Sequence, residues 1–121
     1  MTKKSILIVD NKPRESAYLQ KQLEIAGFDT FVARTGEGAI QALQEKTPHL
    51  VLLDAGLSDM DGLEVVSFIR NDPKTYRIPV VAMSALPHVK DRSIEAGCDD
   101  FLSKPVRALD VITRLRRLTR T

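Results

Sequence analysis

His49-Leu50-Val51-Leu52-Leu53-Asp54, followed by the turn-forming segment Ala55 to Gly62, decides how the rest of the chain reads. Four consecutive apolar residues, Leu50 to Leu53, opened by His49 and closed by an acid, predict a strand buried on both faces, as central strands of parallel sheets are. Asp54 then lies at the carboxyl end of that strand, and ligands of open α/β sheets bind outside that edge. The turn that follows is rich in Gly, Ser and Asp. A carboxylate in that place is either a nucleophile or metal ligand, or simply a cap for the next turn. The stretch by itself leaves both readings open.

Working outward, Ser5 to Val9 is a β-branched apolar run that stops at Asp10-Asn11, so a second buried strand ends in a carboxylate. Pro13 suits a first helical turn, and Tyr18, Leu19, Leu23 and Ala26 follow at helical spacing until Gly27 closes the helix. Phe28 to Ala33 alternates as an edge strand would. Thr35-Gly36 opens a second helix with Ala39, Ile40 and Leu43 on its apolar stripe, ended by Pro48. Beyond Asp54, a third helix is predicted over Gly62 to Asn71 with Leu63, Val66 and Ile69 inward. A fourth strand follows over Pro79 to Met83, then a short helix over Val89 to Ala96 and a fifth strand at Phe101-Leu102. The last helix carries Leu109, Ile112, Leu115 and Leu118 on one side and mostly arginine on the other. Five strands alternating with five helices predict a parallel sheet with helices on both faces.

At 121 residues the chain fits one domain, taken as 1–121, with a core large enough to need no staples. No apolar run approaches the roughly 20 residues that span a bilayer, and the amino terminus is too short for a signal peptide, which predicts a cytoplasmic protein without a membrane partner. A single cysteine, Cys98, fits a reducing compartment and reads as a small buried hydrophobe. A net charge of +2 is too weak to imply nucleic acid. The arginines at positions 107, 114, 116, 117 and 120 face only Asp110 in the sequence pattern, and more often form a solvated helix face than a nucleic-acid contact.

Asp10 and Asn11, Asp54, Ser84 and Lys104 each follow a predicted strand, and in a parallel sheet these ends meet on one edge. Carboxylate and amide oxygens gathered there suit a hard cation such as Mg²⁺. A lysine and a hydroxyl facing the same point would hold the oxygens of an anion such as phosphate.

At these residues the chain resembles the receiver domain of two-component response regulators. Ile8-Val9-Asp10-Asn11, Leu52-Leu53-Asp54 through Asp61-Gly62, Met83-Ser84-Ala85 and Phe101-Leu102-Ser103-Lys104-Pro105 carry the resemblance, which covers essentially the whole chain. It implies a flavodoxin-like, doubly wound α/β sheet of five parallel strands in the order 2-1-3-4-5. It implies further that Asp54 is the phosphoacceptor, and that Asp10, Asn11, Asp54 and the main-chain carbonyl of Gly56 hold Mg²⁺. Ser84 and Lys104 would engage the phosphoryl oxygens. Ser84 and Phe101 would form the switch, with the aromatic rotamer changing on activation. A histidine kinase or phosphotransfer protein is the implied donor, and a downstream protein or an output domain the implied target.

Three departures stand out. Asn11 takes the place of a second acid, which predicts weaker Mg²⁺ binding, although Asn11 is also suited to cap the first helix. Ser58 takes the place of a proline. The interval from Ser84 to Lys104 is shorter than the resemblance implies, and Pro87 lies in it, so output through the fourth helix is the least transferable feature. Gly56 and Leu86 offer no polar side chain to orient a water, which predicts slow loss of a phosphoryl group. A turnover phosphatase of the haloacid dehalogenase type needs a second acid where Gly56 stands, and His49 and His88 lie far apart without further zinc ligands. The competing reading is a binding module that keeps the fold and works without phosphorylation. The chain stops directly after the last predicted helix, which suits either a stand-alone receiver or a piece of a longer regulator.

Overall fold

The computed structural model describes residues 3–57 and 59–119. The expectation about Ser58 and the contribution of Arg120 therefore lie outside the described residues. Ten elements alternate along the chain: β1 (Ser5–Val9), α1 (Pro13–Ile25), β2 (Asp29–Ala33), α2 (Gly36–Glu45), β3 (Leu50–Asp54), α3 (Gly62–Asn71), β4 (Val80–Ser84), α4 (Val89–Ala96), β5 (Asp100–Ser103) and α5 (Ala108–Leu118). The five strands form one sheet in the order β2-β1-β3-β4-β5, and every neighbouring pair is parallel. That is the predicted order.

Because successive strand side chains point to opposite faces, the apolar runs divide between two cores. Leu7, Val9, Val51, Leu53, Val80 and Ala82 face α2 and α3, with Val89 of α4 and Cys98 closing that layer. Ile6, Ile8, Leu50, Leu52, Val81 and Met83 face α1 and α5 on the other side. Strands β1, β3 and β4 are buried throughout, as their unbroken runs require. Each such side chain contributes about 1.5–3 kcal/mol by leaving water.

The helices end where their local chemistry predicts. Gly27 has φ +101°, and its N–H donates to Glu24 O while that of Phe28 donates to Leu23 O. This is the paired closure that a left-handed residue after a helix makes possible. Thr35 caps α2 by accepting from the Gly38 N–H at 2.9 Å and Asp61 caps α3 by accepting from the Leu63 N–H at 3.0 Å.

Two apolar stripes differ from expectation. On α1 the buried residues are Ser16, Leu19 and Leu23, and Tyr18 is 59% exposed. Ser16 fits against the sheet because its hydroxyl donates back to Pro13 O at 3.2 Å, leaving no polar group unpaired. On α5 the buried residues are Val111, Ile112 and Leu115, while Leu109 is 63% exposed. The sheet selects the stripe through Val111, rotated away from Leu109. Nor do the α5 arginines face only Asp110: Asp100 accepts from Arg114 Nε at 3.1 Å and Arg117 Nη2 at 2.6 Å, and Arg107 pairs with Asp110 at 3.2 Å.

Candidate functional site

Parallel pairing places the strand ends together. Val9 lies opposite Leu53 and Asp54 opposite Met83, so Asp10 directly after β1 reaches the level of Asp54, and Ser84 lies one step beyond. Ser84 is in turn opposite Ser103, and the Lys104 N–H donates to Ser84 O at 2.9 Å. Sequence neighbours of the strands thereby converge on one edge of the sheet.

Asp54 is 3% exposed and sits at the centre. Its Oδ1 accepts from the Gly56 N–H at 2.8 Å. Its Oδ2 accepts from Lys104 Nζ at 2.8 Å, and Lys12 Nζ stands 3.6 Å from the same oxygen. Burial opposes the Asp54 charge, but the Lys104 hydrogen bond, the Gly56 N–H and the two ammonium groups outweigh it and hold the carboxyl below its ordinary value. The same partners act on Lys104: burial opposes its charge, and hydrogen bonds to Asp54 and Glu15 more than restore it, keeping the ammonium protonated. Asp10 is fully buried. Burial raises its carboxyl above the ordinary value, against the Lys12 N–H and Lys104, with Asp54 and Glu15 adding to the rise.

Around Asp10 the polar atoms are incompletely paired. Asp10 Oδ1 accepts from the Lys12 N–H at 2.9 Å. Asp10 Oδ2 and Asn11 Oδ1 are buried and accept no hydrogen bond from any described residue. Two orphaned oxygens beside Asp54 cost about 1–3 kcal/mol each if left so, and a hard cation with oxygen preference would satisfy both. The residues present therefore fit Mg²⁺. Among the described residues no three His, Cys, Asp or Glu side chains are arranged to hold a metal ion by themselves, and position 11 offers an amide oxygen rather than a carboxylate.

Ser84 is buried, and its Oγ accepts from the Leu86 N–H at 3.0 Å. Phe101 is 7% exposed and packs inward in the layer beneath α2, α3 and α4, opposite Ala82 in register and away from the carboxylates. The Lys104–Pro105 peptide is cis.

Sequence reasoning missed two charged participants. Glu15 Oε2 accepts from Lys104 Nζ at 3.1 Å, and Lys12 pairs with Asp54 as described. Their places at the N-cap and in the first turn of α1, directly after the end of β1, were the available signal. Asp59 was missed as well: it accepts from the Gly36 and Glu37 N–H groups at 2.9 and 3.1 Å and so fastens the turn after Asp54 to the start of α2. His49 Nδ1 accepts the Ser5 N–H at 3.0 Å.

The family model of the response regulator receiver domain matches residues 6–116. The chain belongs to that family. This receiver is 36% identical over 118 residues to the DNA-binding dual master transcriptional regulator RpaA of Synechocystis, covering 95% of this chain and 48% of that protein. It is 33% identical over 117 residues to the transcriptional regulatory protein KdpE of Mycobacterium tuberculosis, covering 95% of this chain and 50% of that protein. The receiver thus spans about half the length of these curated relatives. Its fold superposes on the receiver domain of sensor histidine kinase PA1611 from Pseudomonas aeruginosa with a TM-score of 0.90 at 23% identity, over 99% of this chain and 100% of the other, and that crystal structure carries a magnesium ion in its active-site cleft. No helix among the described residues is long and apolar enough to cross a membrane.

Proposed function

We propose that this receiver, a single domain over 1–121 acting in the cytoplasm, accepts a phosphoryl group on Asp54 from a histidine kinase or phosphotransfer protein. The phosphoryl group then alters its docking to a downstream protein or to an output domain. The observation that carries the reading is the buried Asp54 carboxylate held at 2.8 Å by Lys104 beside two orphaned oxygens. Asp54 attacks phosphorus; the bond from phosphorus to the donor breaks, and the leaving group departs with that electron pair. Lys104 then pairs with a phosphoryl oxygen, and the Ser84 hydroxyl takes another. Asp10 Oδ2, Asn11 Oδ1, Asp54 and the Gly56 carbonyl would hold Mg²⁺. Bound there, it supplies neutralisation of the charge on the transferring group, which is most of what phosphoryl transfer needs. When Ser84 turns toward the phosphoryl group, Phe101 repacks beneath it and changes the α4–β5 surface. The acyl phosphate hydrolyses slowly, because neither Gly56 nor Leu86 can orient a water. Turnover of an external substrate is no part of this chemistry.

Intact mass after incubation with a small phosphodonor, with Mg²⁺ or with chelator, tests this on the wild type and Asp54→Asn. An adduct requiring both Mg²⁺ and Asp54 is expected. A folded wild type that gains no adduct at high Mg²⁺ would instead favour the phosphorylation-independent binding module, the reading to which Asn11 and the eight-residue α4 lean.

A further inference from the structure

Lys12 has no part in the chemistry above, yet its ammonium and that of Lys104 converge on the same Asp54 oxygen, at 3.6 and 2.8 Å. Its backbone is fixed there: the Lys12 N–H donates to Asp10 Oδ1 at 2.9 Å, and Pro13 opens α1 directly behind it. The two lysines differ in freedom. The Lys104 side chain is 9% exposed and bound to Glu15 as well, whereas that of Lys12 is 56% exposed and can follow an oxygen that moves outward.

The local charge explains what such a cation would do. Asp10, Asp54 and Glu15 face Lys12 and Lys104, and position 11 carries a neutral amide. Relative to a site with an acid at position 11 and no lysine beside it, this one is two charges more positive. Such a site holds a metal cation less strongly and an anion more strongly. The geometry points to Lys12 as a second phosphoryl-binding cation: after transfer to Asp54, Lys12 and Lys104 clamp the phosphoryl oxygens from two sides and carry part of the neutralisation that the weakened metal site supplies less well. This rests on Asp54 being the phosphoacceptor.

The transfer itself is unchanged in its balance. Asp54 forms the new bond to phosphorus, the donor keeps the electron pair of the broken bond, and Lys12 contributes charge and hydrogen-bond donors without giving up a proton. An exposed ion pair would ordinarily contribute little, about 0–1 kcal/mol to stability. Here Asp54 is buried and its other oxygen is already taken by Gly56, so the lysine's effect falls on the reacting oxygen.

The experiment compares wild type, Lys12→Ala and Lys12→Arg. It measures the rate of adduct formation from phosphoramidate across a Mg²⁺ series, the Mg²⁺ affinity without donor from the Gly56 amide shift, and the half-life of phosphorylated protein after chelation. Lys12→Ala is expected to lower the rate at saturating Mg²⁺ about tenfold and to shorten the metal-free half-life, because one of the two cations facing the transferred group is lost in a partly solvated place. Lys12→Arg is expected to restore both, and Mg²⁺ affinity is expected not to fall in either variant. An unchanged rate and half-life in Lys12→Ala would overturn the clamp and leave an ordinary surface pair. A faster rate with tighter Mg²⁺ binding in Lys12→Ala would also overturn it, by making Lys12 a competitor of the metal. A wild type that takes no phosphoryl group at all overturns the phosphoacceptor reading, and the clamp with it.

Discussion

Asn11 Oδ1 is buried like Asp10 Oδ2, and neither oxygen has a hydrogen-bond partner among the described residues. An amide supplies a ligand atom without the charge of a carboxylate. Asn11→Asp is therefore expected to raise Mg²⁺ affinity about tenfold, the effect of one added charge at contact distance in a partly solvated site. Titration of amide shifts with Mg²⁺ reads it directly, and an unchanged dissociation constant in the variant would show that Asn11 does not face the ion. Cys98 is the opposite kind of residue. Burial pushes its thiol up to about 12, so it packs as a small apolar group and takes no part in the site.

Among the elements, the start of α3 packs closely against the end of β3 at Gly62. A Cβ on Gly62 would run into the Asp54 carbonyl oxygen and come within 2.8 Å of Ala55 Cα, both backbone atoms that cannot swing aside. Gly62→Ala is expected to cost about 1–3 kcal/mol, as overpacking does, seen as a lower denaturant midpoint at unchanged slope. An unaltered midpoint would mean that the turn adapts without strain. The far side of that turn is tied down by Asp59 on the first N–H groups of α2 and by the exposed pair of Asp61 with Arg92 of α4 at 2.9 Å. Sequence reasoning placed α3 over Gly62 to Asn71 and α4 over Val89 to Ala96, where the structure has them. It misplaced the inward faces of α1 and α5. Tyr18 and Leu109 satisfy helical spacing as well as their buried neighbours do, and only contact with the sheet distinguishes them.

Over the whole molecule, charge is organised in pairs that bridge elements distant in sequence. Asp100 at the start of β5 holds Arg114 and Arg117 of α5. Burial opposes its charge, but the Phe101 N–H and the two arginines outweigh this and keep its carboxyl below the ordinary value. A folded-state value below the unfolded one, about 3.9, contributes stability that is complete above the unfolded value and is lost as pH falls through the folded one. Asp100→Asn is thus expected to destabilise by about 1 kcal/mol at neutral pH, with the gap to wild type closing below about pH 4. Urea midpoints at the two pH values check the sign; a gap that persists in acid would trace the effect to packing instead. The same pairing gives two of the α5 arginines a carboxylate partner, although the Arg117 side chain stays 58% exposed.

Local chemistry was enough to fix the alternation of strands and helices, the burial of β1, β3 and β4, and the acids and lysine that end the strands. An apolar run, a proline, a glycine or a capping hydroxyl acts within a few residues of itself. The convergence of Asp10, Asp54, Ser84 and Lys104 could be expected from parallel pairing alone, since strands running in one direction bring their carboxyl ends to one edge of the sheet. What only the tertiary structure decided were the partners separated by crossovers: Glu15 on Lys104, Lys12 on Asp54, Asp59 on α2 and Asp100 on α5. Their reach is set by how each helix is rotated on the sheet. That rotation is chosen by packing of the whole core, which no single stretch of the chain encodes.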